Sequence, residues 1–126
     1  MVALVRLAKE YGNGSIPISR IAEEEKIPQR FLEGILLELK GLGMLDSTRG
    51  KTGGYYLLKH PTEVSLADII TLFEGSVGML ACVCCHTYKP CEFYKDETSC
   101  KIRQTFKHVY ESSSTILKNT TLQNLV

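Results

Sequence analysis

Residues 17–43 read PISRIAEEEKIPQRFLEGILLELKGLG, and two apolar stripes inside this stretch decide the fold. After Pro17, residues Ile18, Ile21 and Ala22 recur at helical spacing while Glu23, Glu24, Glu25 and Lys26 form a solvated face. Ile27 marks a tight turn, and a second helix starts at Pro28 with Leu32, Ile35, Leu36, Leu39 and Leu42 on one face, ending at Gly41 or Gly43. Two short helices joined by a few residues, the second longer and amphipathic, have helix-turn-helix spacing. Gln29 and Arg30 stand off the apolar face at the start of the second helix. A helix laid in the major groove presents such positions to base edges, and both side chains can bond a base in bidentate fashion, so they are candidate DNA-reading residues. Glu33 and Glu38 keep this helix from being uniformly basic.

Working outward toward the C-terminus, Met44-Leu45-Asp46-Ser47 and Tyr55-Tyr56-Leu57-Leu58-Lys59 flank Thr48-Arg49-Gly50-Lys51-Thr52-Gly53-Gly54. Two short strands around a glycine-rich basic loop read as a β-hairpin. Its glycines allow positive φ and close backbone approach, which suits a wing laid against phosphates, and Arg49 and Lys51 are the candidate phosphate contacts. Lys59 and His60 add to the same basic cluster, and Pro61 ends the hairpin. Ser65 and Asp68 form a capping pair for a further helix with Leu66, Ile69, Ile70 and Phe73 as its apolar stripe and Gly75 as its stop. Outward toward the N-terminus, Met1, Leu4, Val5, Ala8 and Tyr11 recur at helical spacing until Gly12-Asn13-Gly14-Ser15, so the sequence opens inside a helix.

Periodicity fails over residues 76–100, which hold all five cysteines. Thiolates at loop spacings such as Cys85, Cys91 and Cys100 can converge on one soft-metal centre, an iron-sulfur cluster among them. Structural zinc is the rival, weakened because Cys82 and Cys85 alone are spaced C-x-x-C and no second such pair follows, and ordinary reduced thiols are the third reading. Cys82 and Cys84 crowd the approach to Cys85. His86 and His108 are the candidate fourth ligands within this sequence, beside a residue before Met1 or one from a partner subunit, and each of the three histidines, His60 included, has an ordinary surface position as its plainer reading. From Lys101 onward, Ile102, Phe106, Val109, Ser113 and Ile116 alternate by four and three, the pattern of a seam between helices, and Thr120-Thr121 break the helix before a last turn through Leu122 and Leu125.

Composition limits what the chain can be. Its 126 residues, 44% hydrophobic, suffice for one core but hardly for a separate catalytic domain. Fifteen basic against fourteen acidic residues leave a charge of +1, so any nucleic-acid surface is local. No apolar run approaches the roughly 18 residues a membrane span needs, and the expectation is a cytoplasmic protein with no membrane partner. An odd cysteine count without a secretion signal argues against a secreted disulfide framework. Ser112-Ser113-Ser114 has no evident base, and Gly53-Gly54 fits no nucleotide-binding fingerprint, so an enzyme is not expected.

The stretches at residues 18–32, Thr48-Arg49-Gly50-Lys51-Thr52-Gly53-Gly54-Tyr55, the cysteine loop and the closing Thr121-Leu122-Gln123-Asn124-Leu125 resemble, in this order, the IscR/NsrR-type family of winged-helix transcriptional regulators. The resemblance implies a mainly α fold with a small β-hairpin, a winged helix-turn-helix followed by a long C-terminal dimerisation helix. It divides the chain into a DNA-binding domain over 1–75, a cysteine-rich sensor loop over 76–100, and a dimerisation helix with its tail over 101–126. It further implies a homodimer on double-stranded palindromic DNA, paired through Ile102, Phe106, Val109 and Ile116. By the same likeness Cys85, Cys91 and Cys100 hold a 2Fe-2S or 4Fe-4S cluster that senses iron, nitric oxide or redox state, and the regulator acts as a repressor. Two departures stand out. Arg103 occupies the place where IscR-like members carry a histidine, and family chains usually begin some turns before the point that corresponds to Met1. The competing expectations are a cluster-free regulator of the same fold answering to thiol or partner-protein signals, and a small iron-sulfur electron carrier.

Overall fold

The computed structural model describes residues 1–51, 53–75, 78–83, 88–92, 96 and 98–126. In chain order the elements are α1 (Val2–Lys9), α2 (Ile18–Glu24), α3 (Gln29–Gly41), β1 (Leu45–Thr48), β2 (Gly54–Leu57), a 3-10 turn (Pro61–Glu63), α4 (Leu66–Glu74), α5 (Lys101–Asn119) and α6 (Leu122–Leu125). They form two compact units: Met1–Val64 together with Thr121–Val126, and Ser65–Thr120.

In the first unit α2 packs on α3, α3 on β1, and α1 on β2 and α6. Leu4, Leu7, Ile21, Leu32, Leu36, Leu39, Leu45 and Leu122 are almost wholly removed from water. The buried face of α1 is Ala3, Leu4, Leu7 and Ala8, whereas Met1 and Tyr11 of the expected stripe are exposed. Residues at three- and four-residue spacing define two overlapping faces on this segment, and the one that meets β2 and α6 is buried. Leu42 is likewise exposed, because α3 ends at Gly41 and Gly43, at φ 79°, turns the chain away into β1. Between α2 and α3 the turn is made by Lys26 at φ 54°, and the Ile27 amide closes it on the Ala22 carbonyl at 2.9 Å. Gly34, inside α3, has no neighbour within 4 Å of where a Cβ would stand. Relative to alanine it costs the helix about 0.5–1 kcal/mol.

β1 and β2 pair antiparallel with Leu45 opposite Leu57, both buried, so the base of the hairpin is anchored in the core. A second anchor is backbone to backbone. Ile16 donates to the Tyr55 carbonyl and Tyr55 to the Ile16 carbonyl, each at 2.9 Å. A Cβ on Gly54 would overlap the Ile16 carbonyl and Pro17 nitrogen, and one on Gly53 would lie 2.5 Å from the Thr48 carbonyl oxygen. The paired glycines therefore serve the protein's own close packing, while positive φ falls on Gly50 at 105°. Arg6, largely covered, ties the first two helices together through Glu24 at 2.6 Å and Glu10 at 3.0 Å, and Arg20 reaches Glu24 at 2.9 Å. These bonds, Arg6 first, hold the Glu24 carboxyl below its ordinary pKa. Thr121 and Asn124 cap α6 reciprocally, Leu122 is fully buried, and its amide bonds the Val64 carbonyl at 2.9 Å.

In the second unit Ser65 and Asp68 exchange side-chain to backbone bonds of 3.1 Å at the start of α4, and Gly75 ends that helix in the left-handed region. Its buried residues are Ala67 and Ile69, while Phe73, expected in the stripe, is exposed. α4 packs against α5, and Phe73 stays in water on this helix. The Leu66 amide bonds the Thr120 carbonyl at 2.9 Å, which joins the start of α4 to the end of α5. Among the described residues no helix is long and apolar enough to cross a membrane.

Candidate nucleic-acid interface and thiol pocket

The first unit carries all four residues expected to meet DNA. Gln29 and Arg30 are the first two residues of α3 and are exposed, and Arg49 and Lys51 are exposed on the turn between β1 and β2. Pro28 occupies the N-cap of α3 without a side-chain cap. At the far end of α3, Lys40 Nζ bonds Ser47 Oγ of β1 at 2.7 Å and lies 3.8 Å from Asp46. At the other side Ser15 and Thr48 share a hydroxyl bond of 2.8 Å, tying the start of the hairpin turn to the segment before α2. Both bonds attach to the end of β1, where the turn that carries Arg49 and Lys51 begins. His60 has a structural use instead: its Nδ1 accepts the Thr62 amide at 3.2 Å, capping the 3-10 turn, and its ring meets the edge of Tyr11 with centroids 4.9 Å apart.

The second unit carries the thiols. Cys82, Cys91 and Cys100 line one open, mainly apolar pocket of about 560 Å³ with Leu80, Pro90 and Ile102. Cys100 is the N-cap of α5, its Sγ accepting the Arg103 amide at 3.5 Å. Arg103 also sends Nε to the Cys82 carbonyl at 3.2 Å, so one residue engages the backbone at one cysteine and the sulfur of another. Asp96 shapes the approach to Cys100: its Oδ1 accepts from Thr98 Oγ1 at 2.6 Å and Thr98 N at 3.1 Å, bonds that lower its pKa. Of the cysteines expected to act together, Cys91 and Cys100 share the pocket, and Cys85 lies outside the described residues, as do Cys84 and His86. His108 is exposed on α5. Among the described residues no three His, Cys, Asp or Glu side chains are grouped closely enough to hold a metal ion.

Two residues of this pocket were not legible as such. Spacing alone sets Cys82 apart as crowding Cys85, yet it lines the same cavity as Cys91 and Cys100. Arg103 carried a signal only as a departure from the histidine position. On α5, Ile102 and Ile116 are 67% and 66% exposed, Val109 is exposed, and Phe106 is half-buried. Ile102 belongs to both features, since it also lines the thiol pocket.

Helix-turn-helix, winged hairpin and long following helix together define a winged-helix regulator of transcription. The family model Rrf2, described as an iron-dependent transcriptional regulator, matches residues 1–126, and the chain belongs to the Rrf2 family. An rrf2-like HTH-type transcriptional regulator of Rhodobacter capsulatus is 37% identical over 127 residues, covering 98% of this chain and 85% of that protein. The HTH-type regulator IscR of Serratia proteamaculans is 28% identical, covering 100% of this chain and 73% of its own length. The solved structure of CymR, the global cysteine regulator of Bacillus subtilis, superposes with a TM-score of 0.79 at 25% identity, covering 98% of this chain and 87% of that one. These relatives regulate transcription and are not enzymes.

Proposed function

We propose that the protein is a homodimeric, DNA-binding repressor whose cysteine loop holds an iron-sulfur cluster on Cys85, Cys91 and Cys100 and reports iron, nitric oxide or redox state. The observation that carries this reading is the shared pocket of Cys91 and Cys100 at the N-terminus of α5. Soft thiol donors in an apolar setting fit cluster iron, and the described residues supply two of the three expected thiols. When bound, the cluster supplies a redox-active iron centre that oxidant or nitric oxide can attack.

The chain's own part follows from its bonds. Cys100 caps α5, so any change in what its sulfur bonds is felt in the first turn of that helix. Ile102 and Ile116 expose on α5 an apolar stripe that a second copy would cover, which supports pairing through Ile102, Phe106, Val109 and Ile116. Pairing is needed for a palindromic site, because two recognition helices must lie about 34 Å apart to enter successive major grooves. Gln29 and Arg30 would then read bases while Arg49 and Lys51 hold phosphates.

A second reading, thiol sensing without a cluster, is favoured by Cys82 lining the pocket beside Cys91 and Cys100. Anaerobic reconstitution with iron and sulfide separates the two. The cluster reading expects a brown protein whose chromophore is lost in Cys85→Ala, Cys91→Ala and Cys100→Ala and kept in Cys82→Ala. Colourless wild-type protein that still binds DNA would overturn it in favour of thiol sensing.

A further inference from the structure

The outward face of α3 is built in a way that the protein's own packing does not explain. Opposite buried Leu32, Leu36 and Leu39 lie Arg30, Gly34, Leu37, Glu38 and Gly41, with Phe31 at the edge of the same face. Phe31 is 65% exposed and Leu37 54% exposed, two large apolar side chains left in water. Between them Gly34 leaves a bare stretch of backbone, although a Cβ there would meet nothing within 4 Å. A glycine inside a helix is destabilising relative to alanine, and neither a positive φ nor a tight neighbour accounts for this one. What remains is close approach by something outside the chain.

We propose that this something is the floor of the DNA major groove, with α3 seated closest at Gly34 and Phe31 resting on the 5-methyl group of a thymine. The inference depends on the DNA-binding reading of α3 and adds to it a base class and a reading residue. Three features favour DNA over a protein partner. The chain belongs to a family of transcriptional regulators. Arg30, exposed on the same face, suits the acceptor edge of guanine. An apolar side chain in the major groove has one matching feature on the bases, the thymine methyl. Leaving out a Cβ at Gly34 lets the helix sit further into the groove, with the Phe31 ring at its edge brought to that methyl.

The test uses a duplex that the full chain selects from a random-sequence library. Each thymine is replaced singly by deoxyuridine, which removes only the methyl group, and affinity is measured at fixed salt. At one position of each half-site wild-type protein should lose about fourfold, the worth of one methyl group taken from water. Phe31→Ala should weaken binding to the thymine duplex to a similar degree and show no further loss with deoxyuridine, while Phe31→Leu should keep part of the sensitivity. Gly34→Ala should raise the melting temperature and yet weaken DNA binding, a combination that misfolding cannot produce. Equal sensitivity to deoxyuridine in wild type and Phe31→Ala would overturn the proposal while leaving DNA binding intact. Failure of wild type to select any sequence would overturn the DNA reading itself, and the proposal with it.

Discussion

Replacing Gly54 with alanine puts a methyl group where the Ile16 carbonyl and the Pro17 nitrogen already stand. Those atoms are backbone, so no side-chain rotation relieves the overlap, and the segment before α2 must move off β2. Moving it breaks the two hydrogen bonds between Ile16 and Tyr55, each 2.9 Å long. At roughly 0.5–1.5 kcal/mol net for each bond, the loss is about 1–3 kcal/mol. For a chain of this size that corresponds to a fall in Tm of roughly 4–15 °C. Urea unfolding followed by circular dichroism gives the cleaner reading, because an unchanged m-value shows that the same surface is exposed. Gly34→Ala is the internal control: there the added methyl meets open space, and the midpoint should rise. A Gly54→Ala protein with the wild-type midpoint, or two alanine variants that shift in the same direction, would refute the claim that Gly54 is present to admit Ile16.

Three further outcomes follow from the described geometry. Arg30→Ala should cost about 1–3 kcal/mol of DNA binding and relax sequence preference, whereas Lys51→Ala should weaken all duplexes alike and shallow the salt slope by about one unit, both measured by titration across salt concentrations. Phe106→Asp should bury an unpaired charge in the α5 seam and shift sedimentation from dimer to monomer, and a wild-type monomer at micromolar concentration would contradict the seam. Because Arg6 and Arg20 lower the pKa of Glu24 in the folded protein, that carboxylate contributes stability that is fully present above its unfolded pKa of about 4.3 and is lost as pH falls through its lower folded value. Unfolding curves between pH 3 and pH 6 should therefore show a shallower acid loss in Glu24→Gln than in wild type.

How far the sequence could be read depended on the range of the interactions. Ser65 with Asp68, Gly75, the Arg49 to Tyr55 hairpin and Thr121 were visible because capping and turn chemistry act over three or four residues. Periodicity located the helices but not how far each stripe is covered, which is why Met1, Leu42 and Phe73 were expected inside and stand in water. Contacts across long stretches left no local trace. Gly54 reads as a wing glycine until Ile16 is seen against it, and His60 reads as part of a basic cluster until its ring is found capping Thr62. Cys82 joins Cys91 and Cys100 through the folding of a loop that carries no hydrophobic period. The four residues proposed to meet DNA were candidates from spacing and charge type alone, whereas Phe31, Gly34 and Leu37 gained meaning only when exposure and empty space could be measured.

Leu122 has a consequence for the order in which the molecule is made. It is fully buried in the first unit, beside α1 and the 3-10 turn, with its amide on Val64, yet it follows the whole of the second unit in sequence. Closing that contact means closing a loop that contains every cysteine, and the entropy of closure can be offset only after both ends are present. On the ribosome the first unit stays one helix short of its core until α6 has emerged, so a nascent chain holds an unfinished wedge of apolar surface around Leu4 and Leu7. Synthesis thus orders the two halves: no chain completes its helix-turn-helix unit without having first translated the five cysteines between Cys82 and Cys100.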